Sequence, residues 1–346
     1  SGADVSVTDG GRVATFKISS NELKQGAVVV FKVANVTTPT RQLASASTTA
    51  ITTFDSSGNI IDSASDVATD AITEGVLTGV KRVSSGVDTP AYTDKAVVSF
   101  TTAGSVPVGG SIRVSLPAVV SVQAGWVIAS DASVVFSSPS SSTPVVSGAD
   151  VSVTDGGRVA TFKISSNELK QGAVVVFKVA NVTTPTKQLA SASATAIKTF
   201  DSSGNIIDST SDVATDAITE GALTGVKRVN SGVDTPAYTD EAVVSFTTAG
   251  SVPLGGSIEV SLPAVTSVQA GWVIASDAGV VFSSPSSSTP VVNGADVSVT
   301  DGGRVAIFKI SSNELKQGAV VVFTVANVTT PTKQLASASA TAIKTF

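Results

Sequence analysis

The chain has no cysteine, no histidine and no methionine among its 346 residues. Without cysteine there is no disulfide and no thiolate nucleophile, and without histidine the usual zinc and copper ligands and the one side chain that titrates unperturbed near neutral pH are gone as well. Nothing is left that oxidises readily. A translated chain starts with methionine, so its complete absence marks these residues as processed or as a window on something longer. Ser1-Gly2 recurs as Ser147-Gly148, which favours the window. Charge is scarce too, at 14% of residues with a net −5, so there is no basic footprint for nucleic acid or anionic lipid. The densest apolar runs, Ala27–Phe31 and Val127–Ala129, fall far short of the ~18 residues of a membrane span. These readings give a soluble chain with no nucleic-acid partner and no membrane span in this window, and no targeting segment is visible.

What is present is a repeat. The stretch that begins at Ser1 recurs at Ser147 and returns at Asn293, a period of 146 residues, so the chain holds two periods and the first 54 residues of a third. One period is an ordinary domain, large enough to bury about 68–70% of its unfolded surface without a metal or disulfide.

Strand-type alternation runs through each period. It places Val98, Phe100, Ile112, Val114, Leu116, Phe162, Ile164, Phe177 and Val179 inward, and Arg113, Lys163 and Lys178 outward. Further strands are expected at Leu77–Val83, Trp126–Ala129, Val134–Ser137, Val151–Thr154 and Ala192–Phe200. Asp155-Gly156-Gly157 is a hairpin signal, because primed turns need positive φ, and Gly109-Gly110 and Asp201–Asn205 read the same way. Ser166–Gly172 has a capping residue, one turn and a terminal glycine, which predicts a short helix. Many short strands with frequent turns predict an all-β fold of tandem immunoglobulin-like β-sandwich modules.

Two tracts compete for the linker. Ser137–Pro144 is rich in Ser and Pro, but Asp201–Gly221 is longer and just as poor in large apolar residues, and it is the preferred reading. The expected domains are then 1–74, the C-terminal half of a module; 75–220, a complete module; and 221–346, a module lacking its last strand region. Half a sandwich exposes a sheet edge and an inner face, so residues 1–74 call for completion from outside.

Copies one and two differ at 11 of 146 positions, among them Arg113/Glu259 on an outward face. Adjacent near-identical domains risk misassembly while folding. A filament gains uniform modules from such copying, whereas an enzyme gains little from a second site 146 residues on.

Ser105–Pro117, Val179–Pro185 and Phe200–Asp208 resemble the tandem Ig-like repeats of large secreted surface and fibre proteins of microalgae and other protists. More loosely, they are similar to the extender modules of bacterial adhesins. The resemblance implies an extracellular fibre, stalk or sheath and names no ligand.

Candidate chemistry is sparse. Asp155, Asp201, Asp208 and Glu168 are the available general acids, all in predicted turns where carboxylates serve the local backbone, and no His or Cys stands beside the serines. No enzymatic activity and no cofactor is expected. Asp201, Asn205 and Asp208 put oxygen donors on a tight turn and are a calcium candidate, but an EF-type loop needs more carboxylates and a later Glu. Trp126 and Trp272 are either core aromatics or a stacking face for a sugar. Asn35, Asn181 and Asn327 open Asn-Val-Thr glycosylation sequons, one per period. The expected function is a structural subunit of an extracellular filament, sheath or surface fibre that self-associates through its repeats and carries glycans; the alternative is a stalk or binding module of a cell-surface adhesin.

Overall fold

A computed structural model describes residues 4–117, 125–138, 144, 146–147, 150–191, 194–263, 271–284, 292, 296–334 and 341–346. It is all-β, with no α-helix among the described residues, and divides into two compact units, Ser1–Thr38 and Pro39–Phe346.

In the first unit, β1 (Asp4–Thr8) and β2 (Val13–Lys17) pair antiparallel from Asp4↔Lys17 to Thr8↔Val13. They are joined by Asp9–Arg12, in which Asp9, Gly10 and Gly11 are all at positive φ, where Gly sits without steric cost. No further strand forms among residues 18–38.

The second unit opens with a hairpin of β3 (Ala46–Phe54) and β4 (Ile60–Thr69). The Asp55 carboxylate holds its turn by accepting from the backbone N–H groups of Ser57 and Asn59 at 2.9 and 2.8 Å. There follow β5 (Gly75–Val76), β6 (Thr78–Ser85), β7 (Thr93–Thr101), β8 (Ser111–Ser115), β9 (Val127–Ile128) and β10 (Val134–Ser138). The run continues with β11 (Val151–Thr154), β12 (Val159–Lys163), β13 (Val174–Thr183), β14 (Thr195–Phe200) and β15 (Ile206–Thr215).

These eleven strands form one hydrogen-bonded sheet in the order β10-β13-β7-β6-β15-β14-β8-β12-β11, with β5 on β15 and β9 on β13. Phe162 on β12 and Phe177 on β13 lie near opposite ends of that order, yet their ring centroids are 5.5 Å apart. The sheet therefore folds over on itself, and the rows inside it make one core. All nine residues expected inward are buried, while Arg113, Lys163 and Lys178 are exposed. The guanidinium carbon of Arg113 stands over the Phe200 ring, 4.6 Å from its centroid, so the charged head rests on an aromatic face while the residue as a whole stays exposed.

The hairpins at Asp155–Gly157 and Asp201–Asn205 form as expected. Gly157 is needed twice over: its φ is +92°, and a Cβ there would meet the Ile128 carbonyl oxygen at 2.9 Å. Gly109-Gly110 makes a turn but no hairpin, since Val106 before it bridges Leu169 while β8 after it pairs with β12 and β14.

Two expectations fail. Ser166–Gly172 is not helical: Asn167 takes φ +55° and Leu169, fully buried, makes an antiparallel bridge to Val106, so core burial overrides the local capping signal. Asp201–Gly221 is not a structureless linker. It carries β15, a ten-residue strand whose polar side chains find partners in the fold. The Ser/Pro tract falls outside the described residues from 139 to 143.

The chain then runs through β16 (Thr224–Ser231), β17 (Thr239–Thr247), β18 (Ser257–Ser261), β19 (Val273–Ile274) and β20 (Val280–Ser284). It ends with β21 (Val297–Thr300), β22 (Val305–Lys309), β23 (Val320–Thr329) and β24 (Ala342–Thr345). Pairings repeat those of the preceding stretch, with Val98↔Phe177 matched by Val244↔Phe323 and Ile112↔Phe162 by Ile258↔Phe308. These strands enclose a second, separate core. They form two sheets, β16-β17-β23-β19 with β20 and β21-β22-β18-β24, and no described strand joins β16 to β24.

Candidate functional site

Asp201 and Asp208, two of the three calcium candidates, are committed to different partners. Asp201 Oδ1 accepts from the N–H groups of Ser203 and Asn205, and Oδ2 accepts from Asn205 Nδ2 at 2.8 Å and Thr40 Oγ1 at 2.9 Å. Burial pushes this carboxyl up, and the hydrogen bonds from Asn205, Thr40 and Ser203 outweigh it and hold it below the usual carboxylate value. This is an Asx turn with its lone pairs taken. Asp208, on β15, is fully buried; it accepts from Gly104 N–H at 2.9 Å and Thr199 Oγ1 at 3.1 Å. Burial raises its pKa despite those donors.

Asp155 pairs with Arg158 across its own turn, and Glu168 is exposed beside the Leu169 bridge, so the structure brings neither to a shared centre with Asp201 or Asp208. Trp126 is buried in the core, which removes it as a sugar-stacking face. Asn35, Asn181 and Asn327 are exposed, and each has positive φ, a conformation Asn tolerates better than most residues. Asn181 sits where the register of β13 shifts, and its amide donates to Asp131 Oδ1 at 3.2 Å. The sequon asparagines thus have a backbone reason for their identity.

The chemistry that is concentrated anywhere is concentrated around β15, a stretch that composition alone had set aside. This strand runs parallel to β5, with Asp208 beside Gly75, and to β6, with Ala214 beside Arg82, and antiparallel to β14. Lys81 Nζ reaches Asp212 Oδ1 at 2.7 Å, Arg82 Nε reaches Asp216 Oδ1 at 2.8 Å, and Ser84 Oγ donates to Asp216 Oδ2 at 2.6 Å. The hydrogen bonds from Lys81 hold Asp212 below the usual carboxylate value. Val213 is fully buried beneath the strand.

The corresponding place between β16 and β24 is an open cleft of about 1850 Å³. Leu77, Val83, Trp126 and Ile197 are buried against the first core, whereas their counterparts Leu223, Val229, Trp272 and Ile343 are only partly buried against the second. Lys227 and Arg228, the counterparts of Lys81 and Arg82, are exposed and make no ion pair among the described residues. At one end Thr89–Ala91 lean in: Ser251 N–H donates to Ala91 O at 3.0 Å, and a Cβ on Gly221 would strike Thr89. An apolar floor, two strand edges and a pair of cations suit a β-strand with carboxylates on one face.

No family model and no curated protein matches the chain. Among solved structures, the C-terminal domain of the Streptococcus pyogenes antigen I/II-family protein AspA aligns over 85% of this chain and 92% of its own. Its identity is 11% and its TM-score 0.22. The serine-rich repeat adhesion glycoprotein Srr1 of Streptococcus agalactiae covers 74% of this chain and 89% of its own at 11% identity and a TM-score of 0.20. Scores this low carry neither a shared topology nor a function to this chain, and neither protein is a protist repeat.

Proposed function

We propose that the chain is a structural repeat protein of an extracellular filament, sheath or surface fibre, assembled by self-association of immunoglobulin-like β-sandwich modules. On this reading 75–220 is one complete module, 1–74 the C-terminal half of another, and 221–346 a module lacking its last strand region. The role is mechanical, with no catalysis and no cofactor. One observation carries it: strand pairing and an apolar core recur at an offset of 146 residues, while a change such as Arg113/Glu259 lies on an outward position of its strand. Copying that keeps packing and lets the surface drift preserves a building block, not a reaction centre. N-linked glycans at Asn35, Asn181 and Asn327 would project from exposed positions.

The adhesin-stalk alternative shares the modules and differs in assembly. Electron microscopy of the purified chain and of the native material decides between them: ordered polymers support the filament, and single extended particles at every concentration overturn it.

A further inference from the structure

We propose that the outward face of β14-β8-β12 docks on the matching face of β24-β18-β22 in a second copy of this chain, with Arg113 of one copy set against Glu259 of the other. The inference rests on the self-association reading and names the surfaces that meet. Residues 75–200 and 221–346 are equivalent stretches of the period, and their charges differ at three positions: Lys95/Glu241, Arg113/Glu259 and Lys178/Thr324. All three changes run the same way. Ten cations and six anions give the first stretch a net +4, while seven cations and eight anions give the second −1.

Arg113 lies mid-strand at the centre of its face, with Lys198 directly opposite on β14 and Thr161 directly opposite on β12. Like charges placed opposite each other on neighbouring strands repel. Neither cation makes an ion pair among the described residues, and Arg113 Nε donates to a neutral partner, Thr161 Oγ1, at 3.4 Å. The matching row on the second face is Lys344, Glu259 and Ile307. Glu259 accepts from Ser261 Oγ at 3.3 Å and makes no ion pair among the described residues either. Guanidinium and carboxylate thus hold the same site on two otherwise similar faces, so unlike faces attract and like faces repel. Stacked sheets stand about 10 Å apart, a gap that an arginine and a glutamate side chain span together.

The flanking residues set the orientation. Turning one face over about its strand axis brings Lys198 opposite Ile307 and Lys344 opposite Thr161, whereas turning it about the row would set Lys198 against Lys344. The first arrangement keeps the cations apart and lays the Lys198 stem on Ile307. β8 and β18 then run in nearly the same direction across the contact. Because the two faces are different surfaces of one chain, a single pairing leaves one of each free, and a staggered row can grow.

Sedimentation velocity on the full chain reads the association. Arg113→Glu should weaken it about tenfold, as should Glu259→Arg, which leaves the Arg113 contact with Phe200 untouched; Arg113→Lys should leave it within about twofold. The Arg113→Glu/Glu259→Arg exchange should restore it. Lys95→Glu is the control, since it changes the net charge as Arg113→Glu does but lies on β7, where the register with β13 shifts, and it should leave association within about twofold. Exchanged and unmodified chains, labelled at their N-termini with two fluorophores and mixed, should pair with their own kind about tenfold more than with each other, because every crossed contact sets like charges together. Association that survives Arg113→Glu, that Lys95→Glu weakens as much, that the exchange does not restore, or that mixes freely overturns this docking and leaves the fibre reading standing. An unmodified chain that stays monomeric at every concentration overturns both.

Discussion

Residues 4–38 and 150–184 have the same sequence, residue for residue, and two different structures. In the second, Val174–Thr183 is a ten-residue strand flanked by β7 and β10, and Phe177 is 0% exposed. In the first, residues 28–37 form no strand, Phe31 is 57% exposed and Val28 91%. The hairpin β1–β2, by contrast, forms in both settings. The two strands of that hairpin are joined by only Asp9–Arg12, so little loop entropy opposes their meeting. The long strand needs partners that lie some 80 residues away in sequence, at Thr93–Thr101, and identical side chains do not extend without them. Alternation therefore specifies what a strand will bury once paired, not that it pairs.

Hydrogen exchange tests the comparison at its widest. Peptides covering 26–40 and 172–186 are indistinguishable by mass, so their shared isotope envelope should split into a fast and a slow population, with rates apart by about 10³ or more. A single envelope would show that both copies are equally protected. Next in size, Phe177→Ala should cost about 3–5 kcal/mol in denaturant unfolding, and Phe31→Ala under ~1 kcal/mol. Equal losses would mean that Phe31 finds a core in solution.

A smaller effect should appear with pH. Burial raises the folded-state pKa of Asp208, so its contribution to stability is greatest below the unfolded value near ~3.9 and is lost as pH rises through the folded one. The stability of the unmodified chain relative to Asp208→Asn should fall over that rise and then level off. Asp201 and Asp212, shifted the other way, are present in both proteins and cancel; a difference that grows with pH would reverse the assignment. Smallest of all, Lys81→Ala should cost about 0.2–1 kcal/mol, shrinking with added salt, because its partner Asp212 is largely exposed. Lys227→Ala should cost nothing measurable in the unassociated chain, and an equal loss there would reveal a partner for Lys227.

The inward and outward rows of the core strands were legible because each carries large apolar residues at every second position, as Ile112, Val114 and Leu116 do around Arg113. β15 was not. Its sequence alternates Asp, Ser and Thr with few large side chains, which reads as solvent-exposed until Gly104, Lys81 and Arg82, more than a hundred residues earlier, supply its partners. The helix expected at Ser166–Gly172 failed for a related reason. A cap and a terminal glycine describe local preference, and Leu169 is governed by Val106. Of the candidate sites, the Asx turn at Asp201 was readable as a turn, while the cleft was not, because a gap between sheets has no signature in the residues that line it.

The parallel pairing of β15 with β5 and β6 has a consequence for a chain under tension. Gly75 and Val76 lie near the start of this stretch and Thr215 near its end, and Asp208↔Gly75 and Thr215↔Val83 bond them side by side in the same direction. A pull along the chain drags these strands past each other in shear, loading the backbone bonds and the Lys81–Asp212 and Arg82–Asp216 clamps together instead of peeling them one at a time. Single-molecule stretching should then register a high rupture force for this stretch, and Asp212→Ala with Asp216→Ala should lower it.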